Sequence, residues 1–452
     1  MRKIYHEKRA HSRIKTKFDI TDFKNLSEET VDISEGGLSF YSQEIITTTQ
    51  PISLQINFPH KKIGLKTKVR LVWKKAFEDK PSLYGMEFVS LNKKQQLLLR
   101  KELIKNKIHP LVNNIDDNKI KRYLCRFFLK DILEYINEME NILISLKGRK
   151  DYSLEIEKEI ERLNNCILLK GYCLELLISE KEIIQRIKDN FRELVGVWIY
   201  KGNIVKWAFD KPYGYPADHK IIELIYENKP ISQGIGLYFD NIFLKSPYAV
   251  AIRLRKEHLK KLILKFIEEC NLSNINILNF GCGSSREIRE ILTLLKSQSN
   301  IIFTCIDTSI DALSFSQQAL SSNNYKNTSF KFINQSVLDI IKPTYPLDNL
   351  GKFNLIYSPG LGDYLPNRIL KKFIYTLYQL LETNGKLIIT HKNREKTFPP
   401  LFPDWLCNWK FVLRNKEEII NLIYNCGISN FSLSSESDHF NYIYYFTITK
   451  NK

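Results

Sequence analysis

Polar and apolar residues alternate along the first part of the chain, as they do on half-buried β-strands. Val69, Leu71 and Trp73 fall on one face of such a strand. Strands are predicted at residues 14–18, 66–73 and 84–89, with glycine and proline between the runs. Residues 91–107 then change to helical spacing. The pattern predicts a small, mostly antiparallel β-barrel closed by a helix.

Leucine, isoleucine and aromatic residues recur at helical spacing between residues 118 and 200. Gly148 interrupts the first run, and a second long helical stretch is predicted from residue 154 to about residue 187. We interpret this region as a helical hairpin that connects the two ends of the molecule. A pair of helices through which the chain forms a homodimer is the alternative.

From residue 275 onward, strand, loop and helix patterns repeat, which predicts a parallel sheet with helices on both faces. The predicted strands are residues 276–280, 301–306, 330–334, 355–358 and 386–390, with an antiparallel edge strand at 442–449. The chain is therefore predicted to be multidomain. Its parts are a barrel at 1–107, a helical middle region at 108–200 and a doubly wound α/β domain at 201–452, whose first part is an extension on the substrate side.

The net charge of +18 over 452 residues raises nucleic acid, anionic membranes and phosphate-bearing ligands as partners. The lysine and arginine residues are spread along the whole chain, so we interpret most of this charge as solvated surface. No run of about 18 apolar residues occurs, so no membrane-spanning helix is predicted. The eight cysteines contain no CxxC pair, which predicts reduced thiols and no metal site. With a polar, basic N-terminus that does not resemble a secretory signal, a cytoplasmic protein is expected.

A glycine-containing loop follows the first strand of the predicted parallel sheet. Gly281 and Gly283 allow the backbone to turn sharply and to approach a ligand closely. Asp307 ends the next strand, 24 residues after Gly283, where a carboxylate can accept both hydroxyls of a ribose. A plain tight turn and a helix cap are the alternatives for these two features.

The series of strand ends resembles the class I S-adenosylmethionine-dependent methyltransferases over about residues 272–450. It includes residues 335–338, the segment 355–365 and the turn at 383–387. The resemblance implies S-adenosylmethionine as cofactor, bound by Gly281, Cys282, Gly283, Asp307, Thr308, Ser336, Val337 and Ser358. The third glycine of the common GxGxG loop is replaced by Ser285.

Residues 214–218, 357–365 and 409–414 resemble a branch that includes the 3-hydroxypalmitic acid methyl ester synthases of bacterial signalling. That resemblance implies methylation of a carboxylate, which needs no strong general base because it is already ionised at neutral pH. The candidates for placing the substrate are Tyr364, Asp363, Tyr215 and Asp218. Packing is the alternative for the tyrosines, and helix capping for the aspartates. His391 could act as a base if the acceptor were a hydroxyl.

Arg9 and Arg13 form an RxxxR pattern, and Asp32, Ser34 and Gly37 form DxSxxG about twenty residues later. Arginines offer planar forks for phosphate and can stack on a purine. Together with residues 84–88, these motifs resemble a PilZ domain over about residues 5–106. The resemblance implies binding of cyclic di-GMP by Arg9, Arg13, Asp32, Ser34 and Gly37, with Lys8 near the phosphates. A barrel used only for docking is the alternative.

The combined prediction is a methyltransferase controlled by cyclic di-GMP, with a small acid or lipid-like methyl acceptor. One rival is a non-catalytic protein that binds cyclic di-GMP, and another is an RNA or protein methyltransferase. A nucleic-acid substrate is disfavoured, because Ser358-Pro359-Gly360 stands where amino-directed base methyltransferases carry Asn/Asp-Pro-Pro-aromatic. The methyl acceptor, the direction of control and the oligomeric state stay open.

Overall fold

The computed structural model describes residues 18–22, 27–48, 50–58, 64–78, 80–149, 151–295, 298–321 and 325–452. The chain divides into two compact units, Met1–Lys201 and Gly202–Lys452. Within the described residues, no helix combines the length and the apolar character needed to cross a membrane.

The first unit contains a closed barrel of six antiparallel strands, in the order β1-β2-β3-β6-β5-β4. The strands are β1 (Asp19–Asp22), β2 (Ser27–Ser34), β3 (Gly37–Ser42), β4 (Ile52–Asn57), β5 (Leu65–Lys75) and β6 (Ser82–Ser90). Pairing of β1 with β4 closes the barrel. The predicted barrel and two of its predicted strands are confirmed, whereas residues 14–17 of the first predicted strand lie outside the described residues.

The alternation of buried and exposed residues along β5 shows which of its side chains fill the barrel interior. Leu65, Thr67 and Val69 are buried in the barrel, while Lys66 and Lys68 between them are exposed. The pairing register shifts between Leu71 and Trp73, and the Trp73 indole lies over Gly85, where a side chain would collide with it. Of the predicted apolar face, Val69 therefore lies in the core, whereas Trp73, after the register shift, is exposed.

Helices complete the first unit: α1 (Lys93–Asn113), α2 (Asn118–Arg126), α3 (Ile132–Leu146), α4 (Leu154–Glu175) and α5 (Lys181–Ile199). Leu99 and Leu103 of α1 pack into the barrel core. A π-helical turn at Phe127–Asp131 joins α2 to α3. The predicted single helix from 154 to about 187 is wrong, because the chain leaves the helix at residues 176–180. The apolar spacing continues through this break, since Ile178 is also buried.

The predicted hairpin is formed by α3 and α4. The Tyr135 hydroxyl donates to Asn164 Oδ1 at 2.8 Å, and Lys170 Nζ lies 2.6 Å from Asp131 Oδ1. Residue numbers rise along one helix as they fall along the other, so the two helices are antiparallel.

The second unit is built on a seven-stranded sheet in the order β12-β13-β11-β10-β7-β8-β9. The strands are β7 (Asn274–Phe280), β8 (Asn300–Asp307), β9 (Thr328–Asn334), β10 (Phe353–Ser358), β11 (Leu381–Lys392), β12 (Phe431–Ser437) and β13 (Ile443–Lys450). The five strands from β7 to β11 are parallel, as predicted. After β9 the chain returns to place β10 beside β7, so the strand order reverses there. Ligands bind in the crevice at such a switch point in open α/β sheets.

The antiparallel strand at the end of the chain does not lie at the sheet edge. β13 pairs with both β11 and β12, and β12 forms the edge. β12 was not predicted from the sequence, because only Phe431 and Leu433 are large apolar residues in that strand, among four serines.

Two layers of helices cover the sheet. The helices are α6 (Asn203–Asp210), α7 (His219–Glu227), α8 (Ile235–Lys245), α9 (Pro247–Glu269), α10 (Arg286–Leu292), α11 (Ile310–Ser321), α12 (Val337–Ile340), α13 (Asn367–Gln379), α14 (Arg394–Thr397) and α15 (Lys416–Tyr424). Apolar residues of α9, α10 and α11 form one buried cluster with the strands, and those of α12, α13 and α15 form another. The predicted multidomain fold is confirmed in its three parts.

Candidate functional site

A cavity of about 480 Å³ lies at the carboxyl ends of the central strands of the second unit. The loops after β7, β8, β9 and β10 form one side of it, and α7 and α9 form the other. Most of its lining is apolar. Concave, mostly apolar cavities with a few polar groups are typical small-molecule sites.

The glycine loop after β7 is one wall of the cavity. Gly281 and Gly283 have φ values of +74° and +52°, which glycine adopts without the strain of a side chain. A Cβ placed on Gly283 would have no atom within 4 Å, so the space beside this residue is open. Ser285 also has a positive φ, of 50°. The serine thus adopts the conformation that a third glycine would take, and the loop turns into α10 despite the substitution.

Asp307 lies against this loop. The Gly283 amide donates to Asp307 Oδ2 at 2.9 Å, and the Ser309 amide donates to Oδ1 at 2.9 Å. Burial raises the pKa of Asp307, while the two backbone hydrogen bonds act in the opposite direction. Each carboxylate oxygen has a second lone pair, so Asp307 can still accept two hydroxyl groups. Thr308 follows it in the cavity wall.

The segment after β9 provides an apolar surface at this end of the cavity. Ser336 caps α12, with its hydroxyl accepting from the Asp339 amide at 3.2 Å. Val337 is buried and lines the cavity beside Leu338, which the sequence analysis did not select.

The predicted substrate residues divide into two groups. Tyr215 and Tyr364 line the cavity, whereas Asp218 and Asp363 are buried outside its lining. Ser358, which was predicted to bind the cofactor, is also buried outside the lining. Asp218 caps α7 by accepting from the Lys220 and Ile221 amides, both at 2.9 Å. Capping, the alternative for this residue, therefore describes Asp218 in the structure.

Asp363 affects the cavity through its ion pair with a neighbouring residue, Lys392. Its Oδ2 atom lies 2.8 Å from Lys392 Nζ, and its Oδ1 accepts from the Lys392 amide at 2.8 Å. Burial opposes ionisation of this carboxyl, but the charge of Lys392 holds the pKa of Asp363 below its usual range. Lys392 itself lines the cavity. Asp363 therefore anchors a buried cation at the site without lining the cavity.

The geometry gives His391 a structural role. Arg414 Nη1 donates to His391 Nε2 at 2.9 Å, and Nδ1 lies 2.9 Å from the carbonyl oxygen of Lys392. His391 is not part of the cavity lining. His219 is part of it, and its Nδ1 atom is buried without a hydrogen-bond partner among the described residues. Burial lowers the pKa of His219, which favours the neutral imidazole.

Three charged residues in the lining, Arg255, Glu287 and Lys392, were missed. Arg255 shares a buried stripe of α9 with Ile252 and Leu259, and Glu287 precedes Ile288 on the buried face of α10. A charged residue within an apolar helical stripe is the sequence signal that could have identified Arg255 and Glu287, because charged residues are rarely buried without a partner.

In the first unit, the described part of the DxSxxG motif forms a tight hairpin. Ser34 pairs with Gly37 across the turn, and Asp32 lies half-buried opposite Ser39. A Cβ on Gly37 would lie 2.1 Å from the Met86 carbonyl oxygen, so this position requires glycine. Lys8, Arg9 and Arg13 lie outside the described residues.

The turn of this hairpin is bound to two helices. Arg100 of α1 donates to both carboxylate oxygens of Glu35 at 2.5 Å and also pairs with Glu140 of α3. Burial opposes the charge of Arg100, but its two acidic partners raise the pKa of the guanidinium further. The motif is thereby connected to the helical part of the same unit.

Comparisons with known proteins assign both parts of the chain. Residues 7–105 match the PilZ domain, and residues 271–446 match a methyltransferase domain family. A ribosomal protein L11 methyltransferase of Lactobacillus johnsonii is 23% identical over 288 residues, covering 59% of this chain and 84% of that protein.

Two solved structures align with the chain at low sequence identity. A possible exported protein from Bordetella parapertussis aligns with 71% of this chain and 96% of its own, at 14% identity and a TM-score of 0.41. Magnesium protoporphyrin IX methyltransferase from Synechocystis PCC 6803 aligns with 45% and 83%, at 15% identity and a TM-score of 0.33. The two family matches confirm the predicted PilZ domain and the predicted methyltransferase domain.

Proposed function

We propose that this protein transfers the methyl group of S-adenosylmethionine to the carboxylate of a small, largely apolar acid. We also propose that cyclic di-GMP, bound by the PilZ domain, controls the transfer. The observation that carries the first proposal is that a buried lysine, Lys392, and Tyr364 both line a mostly apolar cavity and pack against the same aromatic ring, that of Phe411.

The residues at one end of the cavity fit the cofactor. Val337 offers an apolar surface for the adenine, and Asp307 can accept the ribose hydroxyls. The open space beside Gly283 leaves room for the methionine part. When bound, the cofactor supplies a methyl group on a positively charged sulfur.

Lys392 and Tyr364 suit an anionic acceptor. Both pack against Phe411: Lys392 Nζ lies 4.7 Å from its ring centroid, and the Tyr364 ring centroid lies 5.8 Å away. Trp409 Nε1 donates to the Tyr364 hydroxyl at 3.0 Å. Because that oxygen is used as an acceptor, the hydroxyl proton of Tyr364 is directed to another acceptor, such as a carboxylate oxygen.

The apolar walls favour the reaction of such an acceptor. Ile222, Ile252 and Leu361 line the cavity, so a carboxylate held against them would lose part of its hydration. Transfer of a methyl group from a cationic donor to an anion neutralises both charges, and a site of low polarity favours that change. No residue has to remove a proton, and positioning by Lys392 and Tyr364 is the main contribution of the chain.

A hydroxyl acceptor is the second candidate, favoured by His219. A neutral imidazole with a free nitrogen can take the proton that a hydroxyl loses on methylation. The two candidates differ in the product, because a methyl ester is cleaved by alkali and a methyl ether is not.

The test is transfer of radiolabelled methyl groups by the full chain to a panel of carboxylic acids, including 3-hydroxy fatty acids. The account expects label in an organic-soluble product that alkali releases as volatile methanol. Tyr364→Phe should lower kcat/KM about tenfold or more, because it removes one hydrogen bond to a charged acceptor. Tyr375→Phe is the matched control, since that exposed ring on α13 is not part of the cavity lining.

Other outcomes are equally informative. Alkali-stable label that depends on His219 would favour the hydroxyl acceptor and contradict carboxyl methylation. Label in RNA or protein would replace the small acid as acceptor. Absence of cofactor binding would support the non-catalytic rival.

The proposal of control rests on the described PilZ residues and on the contacts of Arg100. A dinucleotide at Asp32 and Ser34 would adjoin Glu35, which Arg100 links to α3 through Glu140. The motif can therefore report its occupancy to the helical region of the first unit.

Calorimetry with cyclic di-GMP, and methyl transfer with and without it, test this part. We expect Asp32→Ala to abolish binding, and Arg100→Met to keep binding but reduce the change in rate. Arg162→Met is the control, because this exposed arginine of α4 pairs with its own helix neighbour Glu159. Equal rates with and without saturating dinucleotide would refute control.

A further inference from the structure

We propose that the exposed side of α1, with the adjoining part of β5, binds the surface of a membrane that contains anionic lipids. We call this surface the basic side. It is formed by Lys94, Leu97, Lys101 and Lys105 of α1 and by Lys66 and Lys68 of β5. The proposal concerns the first unit alone and does not depend on the methyl donor or the methyl acceptor of the second unit.

The residues of the basic side in α1 lie along one face of the helix. Lys94, Leu97, Lys101 and Lys105 follow one another at intervals of three and four residues, and all four are exposed. The opposite face of the helix packs into the barrel core. α1 contains a single acidic residue, Glu102, and that residue is buried. The exposed face therefore carries three lysines and no acidic residue.

β5 extends this charge beyond the helix. Lys66 and Lys68 are exposed on the outside of the barrel and alternate with buried residues. Gln95 Nε2 donates to the Lys66 carbonyl oxygen at 2.9 Å, so the start of α1 lies against this part of β5. The acidic residue on the neighbouring strand, Glu87, already accepts from Arg70 Nε at 2.7 Å. The basic side therefore keeps an excess of positive charge.

An apolar side chain lies among these lysines and indicates the kind of partner. Leu97 is 52% exposed, and such a side chain can enter the boundary between the headgroups and the acyl chains of a bilayer. Lysines beside it can reach anionic headgroups while their methylene stems stay in contact with the apolar boundary. A nucleic acid offers negative charge too, but its phosphate backbone offers no apolar partner for Leu97. The combination favours a lipid surface.

Contact of this kind is peripheral and uses charge. Each lysine held near an anionic membrane surface increases the affinity about fivefold. α1 also carries Arg100, which donates to Glu35 beside the DxSxxG motif at 2.5 Å. The membrane surface and the DxSxxG motif would therefore contact the same helix.

Sedimentation of the full chain with lipid vesicles tests the proposal. The vesicles contain phosphatidylcholine alone or phosphatidylcholine mixed with phosphatidylglycerol. We expect the mixed vesicles to bind the protein more tightly, and we expect that binding to weaken as the salt concentration rises. The variant Lys94→Gln/Lys101→Gln/Lys105→Gln should bind the mixed vesicles about a hundredfold more weakly, because it loses three lysines of the basic side.

Two further variants make the result specific, and an unchanged circular dichroism spectrum shows that each variant is folded. The control Lys147→Gln/Lys158→Gln/Lys181→Gln removes three exposed lysines from elsewhere in the first unit and should bind as the unaltered protein does. Leu97→Gln should weaken binding to the mixed vesicles about fivefold, because the leucine loses an apolar environment.

Three results would overturn the proposal. The first is no binding of the unaltered protein to the mixed vesicles, and the second is an equal loss in the two triple variants. The third is unchanged binding of Leu97→Gln, which would remove the reason for choosing a lipid surface. Tighter binding of RNA than of the mixed vesicles, lost in the α1 triple variant, would assign the basic side to a nucleic acid instead.

Discussion

The buried ion pair between Asp363 and Lys392 offers a sharp test of how the cavity is held together. Both side chains are 1% exposed, and their charged atoms are 2.8 Å apart. At an effective dielectric constant of about 20, the attraction at that distance is about 6 kcal/mol. Desolvation offsets much of it, and loss of one partner of a buried pair typically costs about 3–5 kcal/mol.

We therefore expect Asp363→Asn to destabilise the second unit by about 3–5 kcal/mol, because it leaves the Lys392 ammonium buried without a counter-charge. The double variant Asp363→Asn/Lys392→Met should lose much less stability than the sum of the losses for Asp363→Asn and Lys392→Met. Both variants should also lose methyl transfer, since Lys392 is placed at the acceptor.

Hydrogen exchange measured by mass spectrometry gives the opening free energy in the segments that contain this pair. The Lys392 amide is a direct reporter, because it donates to Asp363 Oδ1. A loss of less than about 1 kcal/mol for Asp363→Asn, or a double variant whose loss equals the sum of the single losses, would refute the reasoning.

Four further variants test other parts of the structure. Gly37→Ala should destabilise the barrel by about 2 kcal/mol or more, because its methyl group would meet a backbone oxygen, and exchange in β3 and β6 should rise. Gly148→Ala, with no atom within 4 Å, should cost only about 1 kcal/mol of strain. Gly283→Ala should cost a similar amount in stability but lower S-adenosylhomocysteine affinity tenfold or more by calorimetry, because the methyl group enters the cavity. Burial raises the folded-state pKa of Glu287, so the protonated carboxyl stabilises the folded protein at low pH. This stabilisation is lost as pH rises from the unfolded-state pKa of about 4.3 through the folded-state pKa, and the thermal unfolding temperature should fall over that range. Glu287→Gln should make this fall shallower, and an unchanged pH profile would contradict the expectation.

The parts of the site that are local in sequence were predicted from the sequence. The glycine loop and Asp307 each end a strand made of apolar residues, and neighbouring parallel strands bring their carboxyl ends together. Their contact through the Gly283 amide therefore follows from the order of the elements. The central strands were recognisable for the same reason, since buried parallel strands read as near-continuous apolar runs.

The residues contributed by distant elements could not be predicted in this way. Arg255 comes from a helix before the sheet and Lys392 from the end of β11, and only the assembled fold brings both to one cavity. Asp363 was selected for its place in a loop, but whether a carboxylate faces a ligand or a neighbouring cation depends on packing. The edge strand β12 was missed because the serines along it give almost no apolar pattern.

The central claim is that the crevice beside Gly283 and Asp307 binds the nucleoside of a methyl donor. Titration of the full chain with S-adenosylhomocysteine, compared with Asp307→Asn, tests it most directly. The account predicts binding by the unaltered protein and a loss of about tenfold to several hundredfold in the variant, because the ribose loses hydrogen bonds to a charged acceptor. Equal affinity in the two proteins would contradict the assignment of the site.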